Sequence, residues 1–394
     1  MPLNSAARLW LEPTPIYTDV TASLEFLTDI QSFQNGDEQR RALRNEPRRA
    51  LRYTHSARNS DARRIIRNFM GLHQDDWAVP DRTRAVAGGS YEAGATQITA
   101  AETRNWMING ESVAVVEGVR VEARTMSGVS GSTLTFVETN GLAWGADVLV
   151  MPLVSGRFEE QISTQQRVPS HIDISIAFDA KPEFEPIITP PAAPQTLDGF
   201  ELWTARPMPF EAADLEFISN VSRIDYSIGL WGERKPVSFT SRLERLTWRF
   251  GSRSAHQEFE DLFLRMKGQR GEFYMPTWQE DFNVLGTASS GSNTIDVVGD
   301  VDLTLGSSEV WRAIAVEFNN GTVEAHKIQS IASLGNNATI TIDGTWGADV
   351  SAGTVERVMW CPRWRFATDT LQTLWRVADY PQVRIGFRTL LDQA

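Results

Sequence analysis

Apolar and polar residues alternate along much of this chain. Ser238-Phe239-Thr240-Ser241-Arg242-Leu243-Glu244-Arg245-Leu246-Thr247-Trp248-Arg249-Phe250 is one such run. A period of two predicts strands with one wet face, because successive side chains of a pleated strand point to opposite sides. The period changes only briefly. Phe259, Leu262, Phe263 and Met266 stand at i, i+3, i+4 and i+7, the spacing of one helix face. Ser254 with Gln257 reads as a capping box ahead of them, and Gly268 as the stop. An earlier stretch is written the same way, with Ser60 as cap, Ile65, Ile66, Phe69 and Met70 as apolar face, and Gly71 as stop.

That recurrence is general. Ser23-Leu24-Glu25-Phe26-Leu27-Thr28-Asp29-Ile30 returns as Asp214-Leu215-Glu216-Phe217-Ile218-Ser219-Asn220-Val221. Pro47 and Pro236 each follow basic residues, and an aromatic-to-proline stretch closes each helical segment at Trp77 to Pro80 and Phe273 to Pro276. Trp144-Gly145-Ala146-Asp147-Val148 recurs as Trp346-Gly347-Ala348-Asp349-Val350. A period of roughly 190 to 205 residues is too long for a solenoid repeat and fits two copies of a whole domain.

Each copy continues into short strands with Gly, Asn and Asp turns, which predict a small barrel inserted in the host domain. Each then closes on a returning strand, His171 to Phe178 and Gln382 to Phe387. The expected division is an extended arm over 1–20, a first domain over 21–87 plus 153–181, and its inserted barrel over 88–152. A Pro-rich linker over 182–197 follows. The second domain covers 198–285 plus 363–394, with its barrel over 286–362. Pro2, Pro13 and Pro15 keep the arm out of helix, and five prolines between Lys181 and Pro194 stiffen the linker.

Composition narrows the function. No segment approaches eighteen consecutive apolar residues, so no membrane span or insertion is expected. Met1-Pro2-Leu3-Asn4-Ser5-Ala6 has neither a basic start nor an apolar run, so no secretory leader is expected. A lone Cys361 excludes an internal disulfide framework and fits a reducing compartment. The formal charge is −12, and only four of the 38 basic residues are Lys. Arg and Trp are common interface anchors, whereas Lys is depleted there. Codon bias toward Arg is the competing account.

The chemistry of a catalyst is missing. There is no phosphate loop and no H-E-x-x-H, and Gly128-Val129-Ser130-Gly131 falls short of a nucleophile elbow. Asp75-Asp76 and Glu159-Glu160 are adjacent pairs that a strand would point to opposite faces. No cofactor and no metal are expected, and the chain does not read as an enzyme. The residues singled out are basic. Arg40, Arg41, Arg44, Arg48, Arg49, Arg52, Arg58, Arg63, Arg64 and Arg67 face only Glu46 and Asp61, a local balance of +8 inside a remainder of −20. Phosphate binding is one use of such a stripe. Docking on the acidic surface of a neighbouring subunit suits the acidic remainder better.

Gly36-Asp37-Glu38-Gln39-Arg40-Arg41-Ala42-Leu43-Arg44-Asn45-Glu46-Pro47-Arg48-Arg49, with Tyr53 trailing, resembles a stretch of the distal-tail proteins of long-tailed phages and gene-transfer agents. The passage from Phe263 to Phe282 resembles that family's helix-to-strand segment, while Asp75 to Arg82 departs from it in lacking the glycine pair. The resemblance implies a mainly β chain with few helices. It would hold two tandem tail-tube-like β-sandwiches, each with one flanking helix and an inserted small β-barrel. It also implies a virion structural protein of the tail tip or baseplate, assembled in the bacterial cytoplasm. Such a protein rings the end of the tail tube and holds the hub or receptor-binding fibres. Expected partners are other copies of the chain, the tail tube protein, and hub or fibre proteins, with DNA only as cargo passing the lumen. Three chains would present six equivalent positions, favoured over six chains in two layers. The alternative is a carbohydrate-binding protein using tryptophans of the inserted barrels, such as Trp311 or Trp346.

Overall fold

The computed structural model describes residues 7–10, 19–33, 36–118, 120–139, 141, 143–168, 171–184, 188–208, 214–219, 222–225, 227, 229, 231–234, 240–298, 310–334, 337–376 and 380–392. Met1 to Ala6, Pro13, Pro15, Pro186, Asn220, Val221, Pro236, Ser238 and Phe239, used in the reading above, lie outside these residues. Within them the fold is mainly β, with two α-helices, α1 (Asn59–Leu72) and α2 (Arg253–Met266).

Leaving the inserts aside, the framework strands divide into two matching sets. The first copy has β1 (Arg8–Leu9), β2 (Val20–Ser32), β3 (Glu38–Arg58), β4 (Trp77–Pro80), β5 (Val148–Phe158), β6 (Ser163–Val168) and β7 (His171–Ala180). The second has β8 (Phe200–Leu202), β9 (Asp214–Ser219), β10 (Thr240–Arg249), β11 (Phe273–Tyr274), β12 (Arg363–Phe366), β13 (Thr370–Trp375) and β14 (Pro381–Thr389). The pairings repeat term by term. β2 lies on β3, β3 on β7, and β7 on both β6 and β5. β9 lies on β10, β10 on β14, and β14 on both β13 and β12. Even the parallel pairs match, β1 on β4 and β8 on β11. A duplicated domain is the direct cause of this double pairing pattern.

Both helices follow β3 or β10 and pack on their own copy, but their ends differ from the sequence expectation. The cap of α2 is Ser252, whose hydroxyl accepts from the Ala255 amide at 3.2 Å, while Ser254 lies inside the helix. Two serines at alternate positions both fit a capping pattern, and the extended backbone at Ser252 decides between them. Lys267 takes the left-handed stop at φ 52°, with Gly268 directly after it. Helix α1 starts behind Arg58 with no side-chain cap, so Ser60 is already within it, and Gly71 is helical with His73 as the closing residue. Its inner face is Ala62 and Ile65, with Phe69 and Leu72 partly buried; Ile66 and Met70, both expected on that face, are 37% and 83% exposed.

Each insert is a six-stranded, nearly closed sheet. In the first, 86–88, 148–152, 112–117, 120–130, 133–136 and 97–99 pair in succession, and a bridge from Gly88 to Ala100 brings the ends together. In the second, 283–284, 294–298, 337–342, 323–334, 313–318 and 355–360 do so, with Phe282 bridging to Val358. The apolar alternates point inward, as Met126, Leu134 and Phe136 do in the first and Ile295, Val297 and Ile340 in the second. Between the copies, Pro182–Phe184 forms one 3-10 turn, and Ile188 rests on the cores of both the first insert and the second copy.

Candidate assembly interface

The two copies are joined edge to edge. β2 of the first pairs antiparallel with β13 of the second, from Val20 opposite Trp375 to Glu25 opposite Thr370. One antiparallel run results, in the order β9-β10-β14-β13-β2-β3-β7-β6. Side chains cross the joint in both directions. Leu24 and Phe26 of β2 belong to the second copy's core, where the Phe26 ring lies 5.7 Å from that of Phe263. Trp375 of β13 belongs to the first copy's core. Burying side chains of this size contributes roughly 1.5–3 kcal/mol each. Asp369, in the turn before β13, fixes the register by accepting from the Thr28 amide, the Thr28 hydroxyl and the Gln269 amide at 2.6, 2.9 and 2.9 Å.

Buried charge marks the same joint. Glu38 at the start of β3 takes both arms of Arg365 at 2.7 and 2.9 Å, with Arg388 and Arg40 within 4 Å. Burial alone would raise its carboxyl, but Arg365 and its neighbours outweigh that and hold it below the usual range. Glu260 of α2 is bonded by Arg84 and lies 3.7 Å from Arg49, which donates to the fully buried Asp81 at 2.7 Å. Burial again opposes ionisation of Glu260, and the two guanidinium groups win. Planar, permanently charged guanidinium groups suit such sites, since they bind carboxylates bidentately and cannot lose their proton.

The basic stripe therefore divides. Arg40 bonds Glu272 across the joint, while Arg49 bonds Asp81 of its own copy and lies 3.7 Å from Glu260 of the second. Arg44 meets Glu25, Arg52 meets Glu159, and Arg64 meets Asp61, all within the first copy. Arg58 donates to His171 at 3.2 Å. Arg41, Arg48, Arg63 and Arg67 are exposed. Alternate residues of β3 face opposite sides of the sheet, and the register shifts between Arg48 and Ala42 reset that phase, so Arg40 and Arg49 can both turn inward; Arg63, Arg64 and Arg67 lie on α1.

Other groups resolve into packing. Asp75 pairs with Arg8, and Asp76 with Arg157 and Lys181, at 2.7 Å each. Cys361 is buried, which pushes its thiol well above the ordinary value. Among the described residues no cluster of His, Cys, Asp and Glu could hold a metal ion. The two tryptophans named for a glycan surface differ in exposure. Trp346 is buried in the second insert edge-on to His326, and Trp311 is half-buried against Trp360. Trp144 and Trp346 instead secure equivalent turns, where the amides of Gly145 and Gly347 donate to Glu117 and Glu324 at 2.7 and 2.8 Å.

Sequence reasoning missed Trp10 and Trp203, which follow β1 and β8 and are buried in the two cores. The signal was there: Leu9-Trp10 and Leu202-Trp203 are the same dipeptide at the same place in each copy. Glu260 and Asp369 were missed because lone acidic residues carry no pattern, and Glu38, although within the Gly36–Arg49 stretch, was not singled out there. No protein-family model matches this chain, and no curated protein matches its sequence.

Proposed function

We propose that this chain is a non-enzymatic structural subunit of a phage-type tail tip or baseplate, forming a ring that ends the tail tube and anchors the hub or receptor-binding fibres. The observation that carries the reading is the β2–β13 joint. It is an assembly contact between two like domains, complete with shared apolar cores and buried ion pairs, held inside one chain. Two like domains per chain let three chains supply six similar positions, which matches a six-fold tube to a three-fold tip. The motif around Gly36 to Arg49, similar to distal-tail proteins, agrees with this use. An acidic chain also keeps passing DNA from adhering, since like charges repel within a Debye length.

The test is the mass of the purified chain in solution at two salt concentrations, followed by imaging of the particles by electron microscopy. A closed ring with a central hole is the expected result. Open filaments, or compact particles with no hole, would overturn the reading.

A further inference from the structure

The joint between the copies has two halves, and each copy still presents the half that the other uses. The counterpart of β2 is β9, and the counterpart of β13 is β6. They form the two outer edges of the eight-strand run. Among the described residues β9 pairs with β10 and no other strand, and β6 with β7 and no other strand. Every residue of β9 is exposed, including Leu215 at 40% and Phe217 at 70%. Natural edge strands are normally blunted by charge, proline or a bulge, because an unpaired apolar edge is a template for another strand. We propose that copies of this chain join head to tail, β9 of one against β6 of the next, repeating between chains the β2–β13 joint found within each. Its geometry rests on the duplication, and its closure into a ring rests on the tail-tip reading above.

The register follows from the ladders. Phe178 faces Leu51, which faces Ala22; in the second copy Phe387 faces Glu244, which faces Leu215. In the sheet Ala22 and Leu215 are therefore equivalent, two residues out of phase with the sequence recurrence that sets Leu24 against Leu215; the ladder fixes the register used here. Ile174 faces Thr164 as Val383 faces Thr373, so Thr164 and Thr373 are equivalent as well. Within the chain Ala22 lies opposite Thr373. Between chains Leu215 then lies opposite Thr164, Glu216 opposite Ser163, and Phe217 opposite Ile162. The last pair takes the place of Leu24 and Leu371, both buried at the internal joint. Ile162 already packs on the first copy's core, so Phe217 would extend that core as Leu24 extends the second. The two ends of the run differ, which makes the contact heterologous; such contacts propagate and close when the rotation allows.

The test uses cysteine pairs in the full chain. Of two neighbouring antiparallel pairs one is the closer, non-hydrogen-bonded type, so both are made: Leu215→Cys with Thr164→Cys, and Glu216→Cys with Ser163→Cys. Mixing the two single variants of the right pair and oxidising mildly should give covalent dimers, while either variant alone gives none. The double variant should give a ladder that stops at the ring size. Phe217→Glu, on a side chain already in solvent, should raise the concentration needed for assembly at least tenfold and leave the circular dichroism spectrum unchanged. Rings that form without cross-links and ignore Phe217→Glu would overturn this joint while leaving the tail-tip reading intact. Cross-linked open filaments would uphold the joint and overturn the ring. A chain that stays monomeric and uncross-linked up to its solubility limit would overturn the joint.

Discussion

His256 and Asp261 lie five residues apart on α2 and answer acid in opposite directions. His256 is packed against Phe250 and Trp375 and bonds the Thr373 hydroxyl at 2.9 Å; burial holds its imidazole down at about 4. Unfolded, it would take a proton near its ordinary 6.5, so its share of stability is whole above 6.5 and is lost as pH falls toward 4. Burial, with Glu260 beside it, lifts the Asp261 carboxyl to about 6. Its share is whole below the ordinary 3.8 and is lost as pH rises toward 6. Between pH 4 and 6 the two nearly cancel in the native chain. His256→Gln is expected to make the protein gain stability on acidification and Asp261→Asn to make it lose stability, by roughly 2 kcal/mol each across that window. Melting temperatures at pH 4.5 and 6.5 decide it, and variants with parallel pH profiles would refute it. Neither residue stood out in the sequence, because a single His or Asp on a helix announces nothing until its neighbours from other strands are known. The arginine stripe was visible as composition. That Arg49 turns inward while Arg48 stays in solvent depends on the phase of β3, which tertiary packing sets.

At the scale of single elements the sequence was most informative where a period ran long. Phe259, Leu262 and Phe263 are all fully buried, as their spacing required. Boundaries were harder, because Ser252 and Ser254 offer the same chemistry two residues apart. Ser252→Ala is expected to cost about 1 kcal/mol, the usual worth of a side-chain cap, and Ser254→Ala much less. Urea denaturation of both variants distinguishes them, and the reverse order would return the cap to Ser254. Strand β5 shows a second limit of local reading. Gly156 lies so close to β7 that an added Cβ would sit 2.1 Å from the Asp179 carbonyl oxygen and 2.8 Å from the Phe178 ring. Gly156→Ala is therefore expected to destabilise by about 3 kcal/mol or more, since backbone cannot yield as a flexible side chain can. A loss below about 1 kcal/mol in the same denaturation experiment would contradict that. The glycine was legible as a residue, but its reason lies on a strand twenty residues away.

At the scale of the molecule the repeat was legible and its consequence was not. Two copies of a sequence lead one to expect two domains that fold separately. Instead Leu24 and Phe26 complete the second core and Trp375 the first, so neither copy is whole alone. Which edges meet could not be read from the chain, because an edge strand names no partner. One calorimetric transition is expected for the framework, its van't Hoff and calorimetric enthalpies agreeing. Two separated transitions would show that the shared residues matter little. Arg49→Ala should lower that single transition as a unit. It strips Asp81 of its buried partner and Glu260 of a neighbour, at an expected cost of about 3–5 kcal/mol. A shift confined to part of the melting curve would point to copies that unfold independently.

Strand β5 also serves the molecule as a beam. Its eleven residues pair with the first insert over Val148 to Pro152 and with the host sheet from Leu153 onward. At about 3.3 Å per residue it spans roughly 36 Å without a joint. A load applied to the barrel is passed down one continuous backbone and taken in shear by the ladders on β4 and β7, with no hinge to absorb it. Whatever rests on that barrel is held at a fixed angle to the framework, as a bracket is held by the post it is cut from.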